Sequence, residues 1–167
     1  MNVTKLWHTF NLLIRRNGFA RAEYLKMKNL LGSVGEDCFF HPYWMPSDPK
    51  SIFLHNNVII TADTTFITHD IIGAMLNRKN ATKDYQFYLA PIEIYDNVAI
   101  GARTVILPGR KIGPNAIVGA GTVVNMDVPE GAVVAGNPAR IIGTVEEFEQ
   151  KRLREQLLME NRENVQN

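Results

Sequence analysis

Four histidines and one cysteine are the side chains of this 167-residue chain best suited to acid–base or nucleophilic chemistry near neutral pH. A hydroxyl is a poor nucleophile, and a neutral imidazole can take its proton as it attacks a carbonyl carbon. His8 lies in a stretch that reads as a helix, His41 in the Pro-rich segment FFHPYWMPSD, and His55 at the end of a short apolar run, so each reads as structural. His69, in FITHDIIG, stands where a regular pattern in the chain breaks off. Asp70 beside it could orient the ring or could be a solvated corner. Cys38 is the single cysteine, which excludes an intramolecular disulfide and fits a reducing compartment.

The pattern that breaks at His69 is a six-residue repeat. Residues 94–129 divide as IYDNVA, IGARTV, ILPGRK, IGPNAI, VGAGTV and VNMDVP, with Ile94, Ile100, Ile106, Ile112, Val118 and Val124 in one phase. Four residues after each aliphatic stand Val98, Thr104, Arg110, Ala116, Thr122 and Val128, five of them small or β-branched. A helix would repeat every 3.6 residues and a half-buried strand every 2, so a period of six calls for another architecture: a coil of three short strands joined by tight corners. Gly101, Gly113 and Gly119 fall where such corners need backbone freedom. The misfit is Arg110, whose charge would be costly in an apolar core, so it must reach an interface or the phase must slip at Pro108-Gly109. Upstream, Leu54, Ile60, Phe66 and Ile72 keep the same spacing, and Val34 opens a unit that puts Cys38 at the small position. Ile72 and Ile94 are out of step, so residues 73–91, containing LNRKNATKDYQ, are expected to leave the coil as an extruded loop.

Three segments follow: a basic helical arm over 1–33, an all-β solenoid over 34–143, and a C-terminal helix over 144–167. In the arm, Leu6, Phe10, Leu13 and Ile14 share one helical face, and RAEYLKMKNLL forms a second short helix. In the last segment Phe148, Arg152, Leu153, Leu157 and Leu158 are spaced for a helix docked along one side. Helices at both ends would cap strand edges that a solenoid otherwise leaves unpaired. The chain carries 18 Lys and Arg against 17 Asp and Glu, which gives no sign of a nucleic-acid binder. The arm alone is strongly basic, with Lys5, Arg15, Arg16, Arg21, Lys26 and Lys28 against one acid, and reads as a solvated face or a peripheral contact with an anionic membrane. Its apolar runs are too short for a signal or a membrane span, and the protein is expected to be cytoplasmic, or peripheral at the inner membrane face.

The stretch PIEIYDNVAIGARTVILPGRKIGPNAIVGAGTVVNMDVPEGAVVAGNPARIIG resembles the hexapeptide-repeat acyltransferases, among them the sugar and polysaccharide O-acetyltransferases and the maltose, galactoside and xenobiotic acetyltransferases. The resemblance covers about residues 34–143. It implies a left-handed parallel β-helix, a homotrimer with active sites between subunits, acetyl-CoA as donor and no metal. It further implies an acyltransferase that acetylates a saccharide hydroxyl, in polysaccharide or exopolysaccharide biosynthesis. The catalytic base of the family precedes the extruded loop, which here implies His69. Its donor contacts imply Ala102, Gly119, Ala120 and Asn125, and in the GNPAR segment Pro138 against the adenine and Arg140 toward the nucleotide phosphates.

Two departures bear on specificity. Asn125-Met126-Asp127 replaces the Thr-Lys-Asp common in the family, removing a lysine near the nucleotide. No asparagine matches the one that maltose and galactoside enzymes use for the acceptor, so a different acceptor is expected. The same base would serve an amine, which leaves N-acetylation of an amino sugar or a xenobiotic as an alternative. A non-catalytic hexapeptide scaffold subunit is the reading outside enzymes. A zinc carbonic anhydrase on this coil needs two of its histidines close together in sequence, whereas His41, His55 and His69 are evenly spaced.

Overall fold

The computed structural model describes residues 3–166, with side chains through Met159. Two helices, α1 (Val3–Leu13) and α2 (Gly18–Met27), lead into short strands distributed over three mainly parallel sheets. The first sheet holds β1 (Ser33–Val34), β3 (Ile52–Leu54), β8 (Ile92–Ile94) and β11 (Lys111–Ile112). The second holds β2 (Phe39–Phe40), β4 (Val58–Ile60), β9 (Val98–Ile100), β12 (Ala116–Val118) and β14 (Ala132–Ala135). The third holds β5 (Thr65–Phe66), β10 (Val105–Ile106) and β13 (Val123–Val124). From β3 to β13, apart from the extruded segment, the chain visits the sheets in rotation, so each hexapeptide supplies one strand and one corner; before β14 an isolated bridge from Val128 to Ile112 stands in for a strand of the first sheet. Successive coils lie in register, with Ile94 beside Leu54 and Ile112, and Val105 beside Thr65 and Val123.

The repeat supplies the core. Ile94, Ile100, Ile106, Ile112 and Val124 are fully buried, each burial worth roughly 1.5–3 kcal/mol. Val98, Thr104, Ala116, Thr122 and Val128 are buried at the small position, and Cys38 joins them. The threonines turn their hydroxyls to the corner: Thr104 Oγ1 donates to the Gly101 carbonyl at 2.7 Å and Thr122 Oγ1 to that of Gly119 at 2.6 Å. A buried hydroxyl is tolerated because its donor is satisfied locally.

Several expectations are corrected. Gly101, Gly113 and Gly119 do not have positive φ; they serve close approach, since a Cβ at Gly101 would lie 2.4 Å from the Ala120 nitrogen and one at Gly119 3.1 Å from the Ala135 Cβ. Left-handed corner positions are instead Asp37, Asn57, Asp63, Asn97, Arg103 and Asn115, residue types that mostly tolerate that conformation, together with Gly109 and Gly121. Arg110 is not in the core: Gly109 turns the corner at φ +75°, and the guanidinium emerges to Asp127 at 3.5 Å. Ile72 does not continue the phase. It starts α3 (Ile72–Asn80) inside the extruded segment and is exposed. That segment is pinched at its neck by an antiparallel pair, β6 (His69–Asp70) with β7 (Tyr88–Leu89).

The ends also differ from expectation. Leu6, Phe10, Leu13 and Ile14 face away from the body, and α1 is held instead by buried Leu12 and Thr9. The first coil is covered by α2, through buried Ala22, Tyr24 and Leu25. At the other end the edge of β14 is closed by antiparallel β15 (Arg140–Thr144), and α4 (Val145–Gln166) attaches at its start, the Val145 amide donating to the Gly131 carbonyl at 2.8 Å. Leu153, Leu157 and Leu158 project into solvent rather than docking.

Candidate active site

His69 is positioned by the coil it leaves. The Ile67 amide donates to the Ile106 carbonyl of the next coil at 2.9 Å, and the Ala90 amide to the Thr68 carbonyl at 2.8 Å. The residue before the histidine is thus fixed from both sides, at the corner between the third and first sheets.

The ring is held by Asp48, which lies in the segment linking β2 to β3. The His69 Nδ1–H donates to Asp48 Oδ2, and Thr68 Oγ1 donates to the same oxygen at 2.6 Å. Asp48 opens a short turn over Pro49–Ser51, its carbonyl accepting from the Ser51 amide at 3.0 Å, so its backbone is constrained too. The Thr68 hydrogen bond holds the Asp48 carboxyl below the usual carboxylate range. Burial opposes this, while the hydrogen bond and charge of His69, and the charge of Lys5, reinforce it. An ionised Asp48 accepting from Nδ1 leaves Nε2 as the proton acceptor, the tautomer a general base requires. Both side chains are about one-third exposed, 31% and 33%, and so remain open to a reactant. The Phe87 ring stands 5.2 Å from the imidazole, from the far side of the neck.

Asp70 does not orient the ring. Its Oδ1 accepts from the Ile72 amide at 2.9 Å and shapes the entry to α3. The other histidines have separate environments: His8 Nδ1 meets the Tyr24 hydroxyl at 2.7 Å, His55 Nε2 meets Glu93 at 3.2 Å, and His41 packs between Phe39 and Tyr43. Among the described residues no group of three His, Cys, Asp or Glu side chains is arranged to hold a metal ion.

The expected donor-site residues fall on two corners. Ala102, Gly119 and Ala120 stack where the second sheet passes to the third: the Gly121 amide donates to the Ala102 carbonyl at 2.8 Å, and the Gly119 amide to that of Val134 at 2.8 Å. GNPAR continues this column, the Val123 amide donating to the Gly136 carbonyl at 3.0 Å and the Ala139 amide to that of Val123 at 2.9 Å. Pro138 and Arg140 are exposed there, and Arg140 Nη1 donates to the Ala139 carbonyl at 2.8 Å. Asn125 is exposed at the other corner, shared with His69. Within one chain the third sheet therefore separates His69 from the column of small residues. A cavity of about 390 Å³ opens beside the Asp48 segment, lined by Tyr43, Trp44, Ser47, Asp63 and Phe66 among others.

Asp48 was not legible in the sequence. It lies 21 residues before His69 in an aperiodic Pro-rich segment, and only the folded chain joins them. An acid next to a proline and followed by a turn is too common a signal to have singled it out.

Comparison with known proteins is consistent with this geometry. The family described as bacterial transferase hexapeptide (six repeats) matches residues 91–125. YvoF of Bacillus subtilis (strain 168), named as a candidate acetyltransferase, is 39% identical over 130 residues, covering 77% of this chain and 66% of YvoF. Among solved structures, a maltose O-acetyltransferase from Clostridium difficile 630 superposes with a TM-score of 0.59 at 25% identity, covering 84% of each chain. A hexapeptide-repeat acetyltransferase of Vibrio cholerae, complexed with acetyl-CoA, superposes with a TM-score of 0.58 at 25% identity, covering 84% of this chain and 85% of that one. Over residues 91–125 the chain carries the repeats of the bacterial hexapeptide transferase family, and its in-register coil is similar to these acetyltransferases.

Proposed function

We propose that the protein is an acetyl-CoA-dependent O-acetyltransferase acting on a saccharide hydroxyl in polysaccharide biosynthesis, built on a left-handed coil, with His69 as general base. The observation that carries this reading is the Asp48–His69 pair, fixed by Thr68 at the point where the coil is interrupted. In the reaction, Nε2 of His69 takes the proton of the acceptor hydroxyl as its oxygen bonds to the thioester carbonyl carbon. The tetrahedral intermediate then expels the coenzyme A thiolate, which recovers that proton from Nε2. Asp48 stays ionised and stabilises the transient imidazolium without taking the proton itself. Arg140 suits the donor phosphates, with Pro138 beside the adenine and Ala102, Gly119, Ala120 and Asn125 along the pantetheine arm.

A homotrimer with active sites between subunits is part of the proposal, and the same geometry supports it. The His69 corner and the small-residue column are apart in one chain, and a neighbouring subunit would supply the missing half of each site. The extruded segment exposes Ile71, Ile72, Met75, Phe87 and Leu89, an apolar surface suited to a subunit contact. A saccharide acceptor is supported by the cavity beside Asp48, where Trp44 is 69% exposed and offers an aromatic face to a sugar ring. Among the described residues no helix is long and apolar enough to cross a membrane, and a cytoplasmic site of action is part of the proposal.

The test is acetyl transfer followed by thiol release against sugars, nucleotide sugars and amines. Turnover with saccharides is expected, and His69→Ala should lower it roughly 10²- to 10⁴-fold with the oligomer intact. Near-normal turnover in that variant, or release only with amines, would overturn the reading.

A further inference from the structure

The first helix is mounted the wrong way round for a soluble protein. On α1, Val3, Leu6, Trp7, Phe10 and Leu13 recur at spacings of three and four and form one stripe, which Ile14 prolongs past the helix end. Each of these six is between 50% and 80% exposed, while the opposite face buries Thr9 and Leu12 and anchors His8 on Tyr24. A contiguous apolar surface of this kind marks a contact with something apolar outside the chain. Trp7 and Phe10 stack at 6.2 Å along the stripe, and Phe19 of α2 is also exposed. Aromatic rings of this type settle at the boundary between lipid headgroups and acyl chains.

Charge identifies the occupant. The first 22 residues contain Lys5, Arg15, Arg16 and Arg21 and no acid. The fold removes two of the arm's six bases from play: Arg21 is buried, donating to the Leu12 and Arg15 carbonyls, and Lys26 pairs with Glu36 at 2.5 Å. Arg16 and Lys28 are exposed, and Lys5 and Arg15 are half-buried, Arg15 with its guanidinium over the Tyr24 ring. A second copy docking through the same stripe would bring these like charges together, whereas an anionic bilayer neutralises them.

We propose that α1 is an in-plane anchor that seats the apolar stripe from Val3 to Ile14 in an anionic membrane surface, with the exposed Arg16 and Lys28 at the headgroups. Resting on the proposed function, an enzyme held at the membrane in this way meets its acceptor hydroxyl on a lipid-borne glycan rather than on a free sugar.

The experiment is co-sedimentation of the full chain with vesicles of phosphatidylglycerol and phosphatidylcholine, or of phosphatidylcholine alone, with molar mass followed by light scattering. Binding is expected to the anionic vesicles only and to weaken with salt. Trp7→Glu with Phe10→Glu should reduce partitioning at least about tenfold, and Arg16→Glu should weaken it less. The molar mass and thiol release with a soluble acceptor should be unchanged in both variants. His69→Ala should bind vesicles normally, which separates this inference from the catalytic one. It is overturned if the wild type fails to sediment, if the double variant still sediments, or if the double variant lowers the molar mass, which would make the stripe a contact between copies.

Discussion

Replacing Asp48 with asparagine keeps the volume of the side chain and an oxygen that can accept from Thr68, but removes the charge facing His69. The amide can also turn its nitrogen toward Nδ1, which would move the imidazole proton to Nε2 and abolish the base. A hydrogen bond to an ionised partner contributes about 1.5–3 kcal/mol, and each ~1.4 kcal/mol is a factor of ten, so kcat should fall roughly 10- to 100-fold. The lower half of that range is favoured, because both side chains are about one-third exposed and water can partly replace the carboxylate. The loss should lie in kcat, with KM for acetyl-CoA within about twofold, since Asp48 acts on the base and not on the donor. The pH dependence has a defined sign. The Asp48 carboxyl lies below its ordinary value in the folded chain, so its contribution to stability is complete above about pH 4 and is lost as pH falls through the lowered value. The difference in denaturation midpoint between wild type and Asp48→Asn should therefore be constant around neutrality and shrink only in strong acid. A kcat within about twofold of wild type, or a loss confined to KM, would refute the argument that Asp48 sets the tautomer of His69.

Three further outcomes are expected. Gly101→Ala should destabilise by about 1–3 kcal/mol in denaturant melts, because the new methyl would meet the Ala120 backbone, which cannot move without its whole coil. Asn97→Ala should cost about 1–2 kcal/mol, since it loses the amide ladder to Asn57 and Asn115 at 3.0 and 2.9 Å at a φ of +59°, and Asn97→Gly should be milder because only the ladder is lost. Arg140→Ala should raise KM for acetyl-CoA about tenfold and leave kcat little changed; the reverse pattern in steady-state kinetics would remove Arg140 from the donor site.

The hexapeptide phase was legible because a coil of short strands buries one aliphatic per side, a condition each repeat meets within its own six residues. Ile94 through Val124 are buried as that phase requires, and the break at His69 marks where the chain leaves the coil. Arg110 read as a misfit because an outward corner at Gly109 looks the same in sequence as an inward one until the φ angles are known. The helical faces were legible as stripes but not in direction. Periodicity states which residues share a side of α1, whereas only packing against α2 decides that Leu12 faces in and Phe10 faces out. Asp48 was out of reach for a related reason: a contact across 21 residues through an irregular segment leaves no periodic trace. The sequence by itself determined the repeat, its interruption and the histidine standing there, because these are local. The partner of that histidine, the split of the proposed donor residues over two corners and the outward face of the first helix were decided only by tertiary structure, because each depends on how distant segments close on one another.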